Sequence, residues 1–246
     1  MCTLLMAIGL FDDTHIFAID NRDEVLDRPA EPPSVHRREG MEIFAPRDLE
    51  AGGTWLGLNA AGVYGAVTNR FRQSSEPHHR SRGELVFRAL QKSSAAEGAD
   101  LIAGLDPSDY AGFHLALADE QGLNLLWNDG ECIHRSEHGP GVYVLTERSF
   151  GAAPSQRLDR LQERIAQVPA DPDEARALMR EWMIEHDEDN PLESTCVHLE
   201  GQNYGTRSST IVEVGQTWHF AHADGAPCSA AYKSYDDQVQ ALRRLG

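Results

Sequence analysis

The first residue with a clear chemical potential is the second one. The chain opens Met1-Cys2-Thr3, so loss of the initiator methionine would leave one residue carrying both a thiol and a free α-amine. An ordinary α-amine titrates near about 8 and an ordinary thiol near about 8.5. At neutral pH the amine is partly unprotonated and can take the proton of its own thiol, directly or through one water. Nucleophile and general base then share a residue. Position two carries no chemistry in most proteins, so the rest of the sequence has to support this reading.

The elements that would position Cys2 can be read from local patterning. Cys2–Leu10 and His15–Asp20 are short apolar runs separated by Asp12-Asp13-Thr14, which predicts a β-hairpin at the N-terminus. Apolar runs so close to a terminus need burial, so the pair is expected in the middle of an antiparallel sheet. Arg28–Gly40 is Pro-rich and polar and is expected to be a loop. Gly53–Asn59 and Gly62–Thr68 flank Ala60-Ala61 as a second hairpin. Ser81–Gln91 and Ala95–Leu105 have helical spacing, with Ser81 and Glu84 fitting a capping box. Phe113–Asp119, Leu123–Asn128, Cys132–Arg135 and Val142–Thr146 read as strands. Ser155–Val168 and Asp173–His186 read as helices, Thr210–Val214 and Thr217–His222 as a hairpin, and Ala230–Leu245 as a last helix. Strands then helices, in repeated blocks, predict an α+β fold with largely antiparallel sheets covered by helices, in one domain over 1–246.

Composition excludes several classes. A net charge of −17 over 246 residues argues against binding a phosphate backbone or an anionic membrane surface. No apolar run is long enough to span a bilayer. The stretch Leu4–Phe11 is short and has no basic region before it, so it is not expected to be a signal peptide. The 4 cysteines, Cys2, Cys132, Cys196 and Cys228, are far apart and form no CxxC. A cytoplasmic protein with reduced thiols is expected, the last three cysteines being buried or inert. The histidine pairs His78/His79, His134/His138 and His219/His222 lack metal-ligand grouping, so no metal is expected. Neither GxSxG, a Walker loop nor GxGxxG is present, so no nucleotide cofactor is implied.

Asn21-Arg22-Asp23-Glu24 spells the motif that names the NRDE family, which includes the eukaryotic transport and Golgi organisation protein 2. Further matching blocks are Met1-Cys2-Thr3, Gly52-Gly53-Thr54-Trp55-Leu56-Gly57, Thr68-Asn69-Arg70, Ser81-Arg82-Gly83 and Gly205-Thr206-Arg207-Ser208-Ser209-Thr210. They fall in order along the chain, and on them it is identified as a member of that family. More distantly, Cys2-Thr3, the Arg22/Asp23 pair, Gly62–Asn69 and Thr206-Arg207 resemble the choloylglycine hydrolase and penicillin V acylase group of N-terminal nucleophile hydrolases. That resemblance implies a four-layered αββα sandwich, two antiparallel sheets between helices.

The resemblance also gives the candidate residues roles. Asp23 would orient the Cys2 amine and Arg22 would favour the thiolate, although the two could equally be a surface ion pair of little worth. Glu24 would partner Arg22 or take over the role of Asp23. The Asn69 amide would donate to a developing oxyanion, unless it only caps its own turn. Arg207 would stabilise the thiolate or grip a substrate carboxylate, or else pin the N-terminal hairpin. The block around Trp55 is expected to be mainly structural. One departure stands out: Glu147 occupies the place where the hydrolases carry a second asparagine. A carboxylate there would repel an oxyanion, so Glu147 is expected near the cleft and paired with Arg22 or Arg207. With two arginines beside it, Cys2 is expected to alkylate faster than the other cysteines.

Two functions follow. One is hydrolysis of a small-molecule amide or acyl compound through a thioester on Cys2, with no cofactor. The other is a non-catalytic carrier on the same fold, since eukaryotic relatives of the family are associated with haem mobilisation and lipid homeostasis. The former needs Met1 removed and the latter does not.

Overall fold

The computed structural model describes residues 2–71, 80–199 and 201–246. Its frame is two antiparallel sheets packed face to face. With strands numbered in chain order, the first sheet runs β10 (Gly141–Thr146), β1 (Cys2–Phe11), β2 (Thr14–Val25), β12 (Tyr204–Gly215), β13 (His219–Ala223) and β14 (Lys233–Ser234), with β11 (His198–Leu199) paired to β12. The second runs β3 (Ala30–Arg38), β4 (Met41–Asp48), β5 (Leu56–Asn59), β6 (Tyr64–Asn69), β7 (Phe113–Asp119), β8 (Gly122–Asn128) and β9 (Ile133–His138). As expected, β1 and β2 lie in the interior of their sheet, in the register Cys2 opposite Arg22 and Leu4 opposite Asp20.

The alternation of strand side chains builds the layers. Leu4, Met6, Ile8, Ile16 and Ala18 face the second sheet and pack with Phe44, Leu56, Leu58, Tyr64 and Leu125. Leu5, Ala7, Phe17 and Ile19 face the other way, against Leu161 of α3 (Gln156–Arg164) and Ala175 and Met179 of α4 (Pro172–Trp182). The outer face of the second sheet is covered by α1 (Gly83–Ala89) and α2 (Ala95–Ala103). The result is the αββα sandwich, with α5 (Asp236–Arg243) adding Val239 and Leu242 to the layer between the sheets. No helix among the described residues is long and apolar enough to cross a membrane.

Several boundaries differ from expectation. The expected loop Arg28–Gly40 contains β3, whose Pro32-Pro33 pair sits where the register slips between Glu31 and Ser34. Proline cannot donate to a ladder, but an edge strand leaves half its donors unused. The adjoining β4 has no counterpart in the sequence reading. Residues 53–55 precede β5 instead of joining it, and β2 and β12 are each much longer than their apolar stretches, because polar residues continue both strands. The capping box at Ser81 is absent. Arg82 occupies the N-cap of α1 without a side-chain cap, and Glu84 pairs with Arg80. At α2 the expected kind of cap does occur, Ser94 accepting from the Glu97 N–H at 3.2 Å.

Candidate active site

The extension of β2 puts Asp20, Arg22 and Glu24 on one face of the strand and Asn21 and Asp23 on the other. Arg22 shares the Cys2 face. Its guanidinium stacks over Trp55 at 4.2 Å from the ring centroid and donates to Asp48 Oδ2 at 3.1 Å. Asp48 also accepts from Arg28 Nε at 2.7 Å and from the backbone N–H groups of Glu50 and Ala51. Arg22 is therefore a buried, doubly held cation, more than a surface ion pair.

Cys2, Arg22, Asp23, Glu24 and Asn69 line a single cleft of about 390 Å³ at the open end of the two sheets. Asn69, the last residue of β6, is exposed there. Glu24 lies 3.9 Å from both Arg22 and Arg28 and accepts the Val25 N–H. Four charged wall residues were not assigned roles from sequence: Arg28, Asp48, Arg80 and Arg82. Arg82 is half-buried and donates to the Gly112 carbonyl at 3.2 Å; desolvation pulls its pKa down, with Glu24 opposing. Its position follows from a close backbone approach. The Thr54 N–H donates to the Gly83 carbonyl at 3.1 Å, and a Cβ on Gly53 would lie 2.5 Å from Gly83 C. The glycines of the Gly52–Gly57 and Ser81–Gly83 blocks thus serve one contact.

Arg207 departs from its expected position. It does not line the Cys2 cleft but a neighbouring small cavity that shares Arg22 and Trp55 with it, and it is ion-paired to Asp224. The cause is a β-bulge. Thr206 pairs with Asp23 and Ser208 with Arg22, so Arg207 is the extra residue and is re-aimed. The expected Glu147 partner is also corrected. Glu147 accepts from Arg157 Nη2 at 2.5 Å, and neither Arg22 nor Arg207 is its partner. Arg157, 0% exposed, reaches Asp23 Oδ2 at 3.6 Å with its other terminal nitrogen and donates to the Ser194 carbonyl at 3.1 Å. Asp23 accepts from Thr206 Oγ1 at 2.7 Å. A buried Glu147–Arg157–Asp23–Thr206 chain therefore lies on the helix side of β2. The Asn21 amide donates to the Met183 and Thr195 carbonyls, 2.8 Å each, so this part of the motif is architectural.

With Met1 in place, the surroundings of Cys2 do not favour the expected thiolate. Burial pushes the Cys2 thiol up to about 12, with Asp20 and Asp23 adding to the rise. Of the three other cysteines, expected to be buried or inert, Cys196 is buried and Cys132 and Cys228 are exposed. Asp20, unremarked in the sequence, is fully buried. Desolvation and then the Asp23 charge push its carboxyl up to about 8. Among the expected histidine pairs, His78 and His79 lie outside the described residues. His222 is held by Thr210 and drawn down to about 4 by burial.

The two-sheet sandwich has the fold of several solved acylases and amide hydrolases. Penicillin V acylase from Agrobacterium tumefaciens aligns with a TM-score of 0.61 and 13% identity over 100% of this chain and 89% of that one. A mutant conjugated bile acid hydrolase from Clostridium perfringens gives 0.60 and 12% over 99% and 94%. An N-acylethanolamine-hydrolyzing acid amidase ortholog from Caenorhabditis elegans gives 0.57 and 10% over 99% and 97%. Identities this low carry the fold alone. The chain belongs to the Transport and Golgi organisation 2 family, whose model matches residues 1–224. The mouse homolog is 28% identical over 238 residues, 81% of this chain and 82% of the mouse protein. The human homolog is 31% identical over 134 residues, 53% and 47% of the two chains.

Proposed function

We propose that the protein, once Met1 is removed, hydrolyses a small-molecule amide through a thioester on Cys2. The observation that carries this reading is the shared cleft: Cys2, Arg22, Asp23 and Asn69 come from three separate strands and line one cavity. The cycle is balanced by the residue itself. The Cys2 α-amine takes the thiol proton as Sγ attacks the carbonyl carbon. The carbonyl electron pair moves to oxygen, where the Asn69 amide donates to it. The C–N bond then breaks, and the ammonium returns the proton to the leaving nitrogen. Water adds to the thioester with the amine as base, releasing the acid and restoring the thiol. A thiol held near 12 is inert by itself, so the free amine is the switch. Arg28 and Arg82 in the wall favour a substrate with a carboxylate or other anionic group. The reading includes a cytoplasmic, reducing setting, which free thiols require.

The test uses the chain released with Cys2 first, the chain retaining Met1, and Cys2→Ala, each given a panel of carboxylate-bearing N-acyl compounds. Hydrolysis by the first alone is expected. Equal rates with and without Met1 would sink the mechanism.

A second reading has its own observation. Relatives are named for transport and Golgi organisation, and a groove of about 540 Å³ lies beside β11 and β12, lined by Leu26, Val197, Leu199, Tyr204 and Ala226. An apolar ligand such as haem or a lipid would bind there without any step at Cys2. Haem binding that survives Cys2→Ala, with no hydrolysis by any form, would favour it.

A further inference from the structure

Four metal-competent side chains from three separate segments meet on the surface beside β11. His186 follows α4, Cys196 and His198 flank the start of β11, and Cys228 lies in the turn after β13. One ligand atom from each lies within 4.8 Å of all the others. His198 Nε2 is 3.5 Å from Cys196 Sγ and 3.2 Å from Cys228 Sγ, and the His186 and His198 rings sit 5.0 Å apart between centroids. Zinc bonds of about 2.3 Å to sulfur and about 2.0 Å to nitrogen set tetrahedral edges of roughly 3.3–3.8 Å between ligand atoms. The measured separations match those edges within the reach of small rotamer changes.

The segments are held independently of any ion. The Cys196 N–H donates to the Glu185 carbonyl at 3.1 Å, which ties the His186 turn to the Cys196 strand. Thr195 Oγ1 and Asn21 add bonds from the same stretch to the end of α4. His198 is fixed opposite Gly205 by the β11–β12 ladder. The N–H groups of Ser229 and Ala230 both donate to the Ala226 carbonyl and set the turn that carries Cys228. Two sulfurs and two imidazoles from the protein leave no open position, the signature of a structural site.

We propose that His186, Cys196, His198 and Cys228 bind one zinc ion that clips the end of α4, β11 and the turn after β13 together. On binding, the two thiols release their protons to solvent, the imidazoles stay neutral, and the site carries no net charge. The clip bears on the cleft, because the Val197 N–H between two ligands donates to Thr206 Oγ1 at 2.8 Å, and Thr206 donates to Asp23.

The full chain, purified under reducing conditions and stripped with a chelator, is titrated with Co²⁺ and then Zn²⁺. The expected result is one equivalent of tetrahedral cobalt with charge-transfer absorption of two thiolates, displaced by zinc. Cys228 and His198 are exposed, so their variants should fold. Cys228→Ser should halve that absorption and weaken binding at least about tenfold, and His198→Gln should weaken it similarly. Cys132→Ser should change neither, since Asp129, Cys132 and His134 offer a single thiolate. The proposal fails if thiolate-to-cobalt absorption is absent, survives Cys228→Ser intact or is lost in Cys132→Ser. It fails equally if mass spectrometry after alkylation finds Cys196 and Cys228 as a disulfide that reductant does not open.

Discussion

At the scale of single residues, the site depends on charges kept away from water. Arg157 is the clearest example, with two carboxylates and a carbonyl around one fully buried guanidinium. A buried charge that loses its partner is strongly destabilising. Arg157→Met should therefore cost about 3–5 kcal/mol in denaturant unfolding, and adding Glu147→Gln should recover part of that loss. If the double variant recovers nothing, Arg157 is not what neutralises Glu147. Asp20 makes a different prediction, because neither of its carboxylate oxygens has a hydrogen-bond partner among the described residues. The folded protein keeps a proton on Asp20 up to about pH 8, while the unfolded chain loses it near about 4. Its contribution to stability is complete at acid pH and is withdrawn as pH rises through that window, by no more than about 1.4 kcal/mol per unit. Asp20→Asn should flatten this fall, gaining on the parent as pH increases. Stability curves that stay parallel from pH 4 to 8 would contradict it.

At the scale of elements, the arrangement turns on a few backbone contacts. Gly53 against Gly83 is one, and it fixes where α1 starts and hence where Arg82 stands. Gly53→Ala has to push these strands of backbone apart and should cost about 1–3 kcal/mol, the usual penalty of overpacking. Gly139→Ala has open space around it and should be close to neutral by the same thermal melt. Elements also show where the sequence was legible. The β1–β2 hairpin was readable because Asp12-Asp13-Thr14 interrupts two apolar runs. β3 was not, since prolines and charges on an edge strand look like a loop. That Cys2, Arg22, Asp23, Glu24 and Asn69 meet in one cleft was legible because β1, β2 and β6 carry them in ordered motif blocks. Arg207 was misplaced because a bulge of one residue leaves no mark in composition. Arg157 was missed because an arginine beside Leu158 and Leu161 on an amphipathic helix reads as its solvent edge. Of the Cys/His cluster, only the Cys196-x-His198 pair had a local signal; the other two ligands lie far off in sequence.

At the scale of the whole molecule, the sheet order has a consequence for how the chain is made. The strand bearing Cys2 leaves the ribosome first, yet its neighbours in the finished sheet are β2, β10 and, beyond β2, β12. Val25 ends β2 and Tyr204 begins β12. At a synthesis rate of about 5–20 residues per second, the β2 edge of the nascent hairpin waits roughly 10–40 s for that partner, while β10 reaches the β1 edge earlier. During that interval Cys2 stands outside its finished sheet, where the proposed removal of Met1 would meet it. Once the sheet is complete, Cys2 is buried. The removal of Met1 that the proposed mechanism needs would therefore compete in time with folding, and the late arrival of β12 would favour it.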